Sequence, residues 1–201
     1  FDPAIPKEKF LPLGSPKFDK VIQMCENPPE APARWKEEIG GRKVYFYNTS
    51  LDGMLGNTEH FLKKMRYVFQ CFEGREDACL LWRPHPLLES TFDSMRKAWK
   101  PQFDALRKEY IDKNIGIYDD TPDITSTIAL CDAYIGDAGT SVTSLFGMAG
   151  KPQFILDNSI YSVPEDGDWR GAIIRGFPVL SGIREGMPCV EQDAWMLTQG
   201  N

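Results

Sequence analysis

The stretch Ala133 to Leu156, AYIGDAGTSVTSLFGMAGKPQFIL, leaves few folds open to this chain. Ala133-Tyr134-Ile135-Gly136 reads as a short buried strand and Asp137-Ala138-Gly139 as a tight turn. Thr140 to Ala149 reads as a helix, stopped by Gly150 and Pro152, and Gln153 to Leu156 as a second buried strand. A small-residue turn that opens a helix leaves backbone N–H groups and the positive end of the helix dipole facing outward, here beside the hydroxyls of Thr140, Ser141 and Thr143. That corner can hold a phosphate. The same residues also suit an ordinary strand-to-helix turn in which Thr140 or Ser141 is only the N-cap.

With 201 residues, 42% of them hydrophobic, the chain can bury a full core. A net charge of -6 and a pI near 5.0 argue against a nucleic-acid surface. The five cysteines are odd in number, far apart and without CxxC or Cys/His spacing, so neither a disulfide framework nor a zinc site is indicated, and reduced thiols in the cytoplasm are the simple expectation. Nothing approaches the roughly 20 apolar residues that span a bilayer, and FDPAIPKEKF lacks the profile of a signal peptide. A soluble protein is expected, and a start at Phe1 is expected of a piece of something longer.

Residues 1–41 read as a linker and connecting segment: they are rich in proline and interrupted by one short helix around Phe18 to Cys25. Residues 42–157 carry a regular alternation. Lys43 to Asn48 is an apolar strand, SLDGMLGNT a Gly-rich loop, and Thr58 to Glu73 a helix whose Phe61, Leu62, Met65, Val68, Phe69 and Phe72 form one core-facing stripe. Ala78 to Trp82 is a strand broken by Arg83-Pro84-His85-Pro86, followed by a long helical stretch from Thr91 to Tyr110 that Pro101 kinks or splits. Gly116 to Asp119 is a strand and Pro122 to Cys131 a short helix. Residues 158–201 show alternating apolar positions punctuated by glycine, a β-rich appendage or the start of a further domain.

This order specifies an α/β fold with a doubly wound, parallel, Rossmann-like sheet and a ligand crevice at the strands' carboxyl ends. Polar clusters fall at those ends: Asn48, Thr49 and Ser50; Arg83 and His85; Asp119, Asp120 and Thr121; Asp137, Gly139, Thr140 and Ser141. His85 is the sharpest single candidate. Held between two prolines after an arginine, its imidazole can shuttle a proton or donate to a diphosphate, although a structural His closing a loop would look the same. Asp119 and Asp120 could be paired carboxylates or a turn and cap. Trp35, Trp82 and Trp99 read as core. No GxGxxG follows the first strand and no GxxxxGK[ST] occurs, so the dinucleotide and Walker-type ATPase motifs are absent.

Three segments carry a family resemblance: Leu81-Trp82-Arg83-Pro84-His85-Pro86-Leu87; Tyr118-Asp119-Asp120-Thr121-Pro122-Asp123; and Cys131 to Asp137 with Thr140-Ser141 and Gly150-Lys151-Pro152. Together they resemble the donor-nucleotide half of the CDP-glycerol glycerophosphotransferase family, teichoic-acid-type polymerases and primases of the GT-B fold, over about Phe10 to Leu156. The resemblance implies that His85, the catalytic candidate, and Arg83 face the donor diphosphate. It also implies that Thr140 and Ser141, with Gly139, correspond to a phosphate-binding serine pair, and that Asn48, Thr49 and Ser50 match a phosphate-side loop. Asp120, Thr121 and Asp137 complete the expected substrate-binding set. Relatives carry an aspartate one turn into the helix after the serine pair, a region held here by Thr143 or Ser144.

The implied ligand is CDP-glycerol or a similar CDP-alcohol, with no cofactor and no metal. The implied partners are an N-terminal acceptor domain outside these residues, a cell-surface polymer acceptor, and the inner membrane face through the full-length protein. Two alternatives stay open: a UDP-sugar glycosyltransferase or epimerase-like domain, and a non-catalytic nucleotide-binding module. A glycosyl donor calls for an acidic residue on the ribose, and none lies between Asp137 and Asp157.

Overall fold

The structure, a computed structural model, describes residues 15–137 and 140–156. Five strands, β1 (Lys43–Thr49), β2 (Ala78–Pro84), β3 (Gly116–Tyr118), β4 (Ala133–Asp137) and β5 (Gln153–Leu156), form one parallel sheet in the order β3-β2-β1-β4-β5. Both faces of the central strands are apolar, which is why these segments read as continuous hydrophobic runs. Tyr47, Leu80 and Trp82 point to one core, and Phe46, Cys79, Leu81 and Tyr134 to the other.

Each core has its own helices. The first is covered by α3 (Leu51–Gly56), α4 (Thr58–Phe72), α5 (Leu88–Met95) and α6 (Lys100–Asp112). All six residues of the α4 stripe are buried there, with Phe69 against Trp82 at 5.0 Å and against Tyr110 at 4.6 Å between ring centroids. Aromatic pairs of this kind add roughly 0.5–1.5 kcal/mol each beyond the area they bury. The second core is covered by α1 (Pro16–Glu26), α2 (Ala33–Ile39), α7 (Ile124–Leu130) and α8 (Ser141–Met148). The crossovers leaving β1 toward β2 and β3 therefore lie on one face, and those serving β4 and β5 on the other. The winding reverses between β1 and β4, the topological switch point at which open α/β sheets place a ligand crevice.

Several expectations need adjustment. In the stretch read as connector, the short helix expected around Phe18 to Cys25 is α1, and a second helix, α2, follows it; the two bury Val21 and Trp35 in the second core, and the prolines around Pro32 hid α2. The Gly-rich loop SLDGMLGNT contains α3, capped by Ser50, whose Oγ accepts from Gly53 N at 3.2 Å. Pro101 splits the long helical stretch: α5 ends at Met95, a 3-10 turn spans Lys97–Trp99, and Pro101 stands in the first turn of α6. The helix after β3 begins later than Pro122, because Asp123 caps it by accepting from Thr125 N at 3.1 Å and Ser126 Oγ at 2.6 Å. Those hydroxyl and amide donors, Ser126 foremost, hold the Asp123 carboxyl well below its usual range. Trp35 and Trp82 are core as expected. Gly139 and the β-rich tail read at 158–201 lie outside the described residues.

Candidate functional site

Parallel pairing brings every strand's carboxyl end to one edge, and the backbone there is stitched from strand to strand. Asn48 Nδ2 donates to Arg83 O at 3.1 Å, His85 N to Thr49 O at 3.1 Å, and Trp82 Nε1 to Thr49 Oγ1 at 3.3 Å. Ser50 donates through N at 3.1 Å and Oγ at 2.5 Å to Asp137 Oδ2, while Asp137 Oδ1 takes the Lys64 ammonium of α4. Asn48, Thr49, Ser50 and Asp137 are thus buried and bonded within the protein, fastening β1 to β2 and β4.

Beyond β2 and β3 the same edge opens into a cleft of about 370 Å³, a size within the range of small-molecule sites. Five of the strand-end candidates meet in its lining: Arg83, His85, Asp119, Asp120 and Thr121. One wall is the turn after β2, where Pro84 and Pro86 flank His85. Leu87 N donates to His85 Nδ1 at 3.1 Å. Nδ1 is therefore an acceptor, so the neutral ring carries its proton on Nε2, the nitrogen left for a ligand.

The opposite wall is the loop after β3, and Arg83 holds it. Its guanidinium donates through Nη1 to Asp119 Oδ2 at 2.6 Å and Thr121 Oγ1 at 3.2 Å, and through Nη2 to Thr121 O at 2.6 Å. Asp119, fully buried, also accepts from Thr121 N at 2.9 Å, Thr121 Oγ1 at 2.7 Å and Thr127 Oγ1 at 2.8 Å. Of the two readings left open for it, this is the turn carboxylate. Asp120 points outward and pairs with Arg34 of α2 at 3.1 Å.

Phe103, Leu88 and Tyr118 give the cleft an apolar surface, and Glu89 stands at its lip, accepting from Arg107 Nη1 at 2.8 Å. Burial raises the Tyr118 hydroxyl above its ordinary pKa although the Arg107 charge pulls it down. The sequence reading passed over Glu89, Phe103, Tyr118 and Lys64. Lys64 was legible, since it lies three residues after Phe61 and four before Val68, on the apolar stripe itself, where a lysine demands a buried anion.

Thr140 and Ser141 sit at the same edge but past β1, at the start of α8, and are not in the cleft lining. Thr140 is the N-cap, accepting from Thr143 N at 3.3 Å, and Ser141 is exposed. Thr143 Oγ1 donates to Asp137 O at 3.3 Å. At about 4.8 Å per strand, the end of β2 and the end of β4 lie roughly 10 Å apart across β1.

No protein-family model matches the chain, and no curated protein does. Among solved structures, it is similar to the wall teichoic acid polymerase TagF, at 19% identity and a TM-score of 0.45 over 76% of this chain and 34% of that one. A substituted form of that polymerase soaked with CDPG gives 19% identity and a TM-score of 0.42, and a second substituted form 20% and 0.41. The chain spans about a third of the length of these polymerase chains.

Proposed function

We propose that this chain is the donor-binding part of a transferase that moves glycerophosphate, or a similar polyol phosphate, from a CDP-alcohol to a polymer acceptor. The observation that carries the reading is the fixed aim of His85. Its backbone is bonded to Thr49 O, its Nδ1 to Leu87 N, and its Nε2 is left at the cleft on the ligand-binding edge of a doubly wound sheet. A diphosphate lying along this edge would meet the Nε2 proton on one side and the first amides of α8, beside Thr140 and Ser141, on the other. In the transfer, an acceptor hydroxyl attacks the polyol-bearing phosphorus and the bond to the bridging oxygen breaks. CMP leaves with that electron pair, the acceptor's hydroxyl proton is lost to water, and the growing negative charge on CMP is what His85 and the α8 amides stabilise. Arg83 serves by holding the Asp119–Thr121 wall against His85.

A second reading, a nucleotide-binding module without turnover, draws on a different observation: Ser50, Asp137 and Arg83 all spend their polar atoms inside the protein. Calorimetry with CDP-glycerol and UDP-N-acetylglucosamine tests the proposal. The expected result is CDP-glycerol binding weakened at least tenfold by His85→Ala. Preference for the UDP-sugar, or binding indifferent to His85→Ala, would overturn it.

A further inference from the structure

Tyr134 leaves β4 on the second-core face and runs along its own strand toward the carboxyl edge. Its ring packs against Phe46 of β1, 6.0 Å between centroids, and against Phe146 of α8, 5.4 Å between centroids. Its hydroxyl passes over Gly136, where any Cβ would collide with it, and ends 3.5 Å from Asp137 O, beside the Thr140 and Thr143 hydroxyls, which bond to it. The side chain is fully buried. A phenylalanine would fill the same space without taking an oxygen out of water, so the hydroxyl is kept against a cost that only its bonds offset.

Those bonds fall on the first turn of α8. At eight residues, α8 is too short to hold its shape alone. Its cap bond, Thr143 N to Thr140 Oγ1, is long at 3.3 Å. Thr140 Oγ1 also lies 3.2 Å from Thr143 Oγ1, which donates to Asp137 O at 3.3 Å. Tyr134 closes this set, because its oxygen meets both threonines and the carbonyl of Asp137, whose carboxylate Lys64 and Ser50 already fix. Backbone amides hold an anion best when they are aimed before it arrives, since a donor that must be ordered on binding loses part of its contribution to that ordering.

We infer that Tyr134 is a positioning residue for the ligand edge: through Thr140 and Thr143 it keeps the first turn of α8 aimed at the bound phosphate. This rests on the reading of the α8 amides as part of the diphosphate site and adds the buried side chain that holds them in place. The paired choice of a tyrosine at 134 and a glycine at 136 is what lets one strand residue reach under the helix that follows it.

Amide NMR on the full chain, titrated with inorganic pyrophosphate, tests it. In the parent chain the Ser141 and Val142 amide signals should shift. In Tyr134→Phe, which keeps the ring and removes the oxygen, the midpoint should move to about fivefold higher pyrophosphate, the effect of one hydrogen bond. Tyr110→Phe is the control for a merely structural hydroxyl: Tyr110 is equally buried and bonded, donating to Leu80 O at 2.7 Å in the first core, so its loss should lower stability to urea and leave the midpoint in place. Thr143→Val, which removes only the hydroxyl that ties α8 to Asp137 O, carries the same test if Tyr134→Phe does not fold. A Tyr134→Phe midpoint equal to the parent's, or a shift shared by Tyr110→Phe, would overturn the inference, while CDP-glycerol binding that depends on His85 would leave the donor reading standing. Pyrophosphate that shifts neither amide in the parent chain would overturn the inference and remove α8 from the donor site.

Discussion

Lys64 on α4 and Asp137 at the end of β4 form an ion pair that water does not reach, their side chains 6% and 1% exposed. The pair spans the switch point, and the other oxygen of Asp137 holds Ser50 at the end of β1. Removing one member leaves a buried charge without its counter-charge, which costs about 3–5 kcal/mol. Lys64→Met should therefore lower the free energy of urea unfolding by that amount, and Lys64→Met combined with Asp137→Leu should cost less than Lys64→Met alone. A single variant as stable as the parent would mean that the pair does not hold the switch point together.

Asp119 and its neighbour Asp120 differ sharply in what they support. Asp119 accepts from Arg83, Thr121 and Thr127 in the interior, whereas Asp120 shares one solvated ion pair with Arg34. Asp119→Ala should destabilise the fold by about 3 kcal/mol or more and open the cleft wall, because Arg83 is then buried without an anion. Asp120→Ala should cost less than about 1 kcal/mol. Thermal melts of the two variants side by side measure the difference, and equal shifts would contradict it.

Gly136, one residue before Asp137, has no room for a side chain. A Cβ there would run into the Tyr134 ring and hydroxyl and come within 3.0 Å of Asn48 O. Both neighbours are fixed, one in the second core and the other in the β1 backbone. Gly136→Ala is expected to cost about 1–3 kcal/mol through overpacking, visible as a lower melting temperature, and a neutral effect would show that β1 and β4 can separate freely.

Alkaline pH should unfold the chain earlier than surface chemistry alone predicts. Burial pushes the Tyr134 hydroxyl up to about 12, against the donors Thr140 and Thr143, and burial also raises Tyr47 and Tyr110 well above their ordinary values. A raised folded-state value means that the stabilisation is complete below the unfolded value near 10 and is lost as pH climbs through 12, at up to about 1.4 kcal/mol per pH unit for each group. Tyr134→Phe should flatten the stability profile between pH 10 and 12. An unchanged slope in that variant would mean that the hydroxyl ionises as readily folded as unfolded.

Much of this architecture was readable from the residues. The bounds of β5 and the first residue of α4 follow from apolar runs, although the cap is Asn57, which accepts from His60 N, and not Thr58 as the sequence suggests; the parallel order follows from strands buried on both faces. Helix α1 was read at Phe18 to Cys25, whereas α2 and α3 were harder, since each is short, proline- or glycine-flanked and stabilised by what it covers rather than by its own pattern. Within the candidate site, His85, Arg83, Asp120 and Thr121 come together as their strand-end positions suggested. Sequence could not reveal which strand-end polar groups are spent on the protein. Ser50 and Asp137 look like ligands in a list of residues and act as fasteners in space, because Ser50 donates to Asp137 and the Lys64 that neutralises Asp137 comes from a helix 73 residues away in the chain.

The account rests on one ligand lying along one edge, and a crystal structure of the chain with CDP-glycerol examines that most directly. The expected density places the diphosphate within hydrogen-bond distance of His85 Nε2 and extending toward the start of α8. Density for the diphosphate away from both His85 and the start of α8 would contradict it.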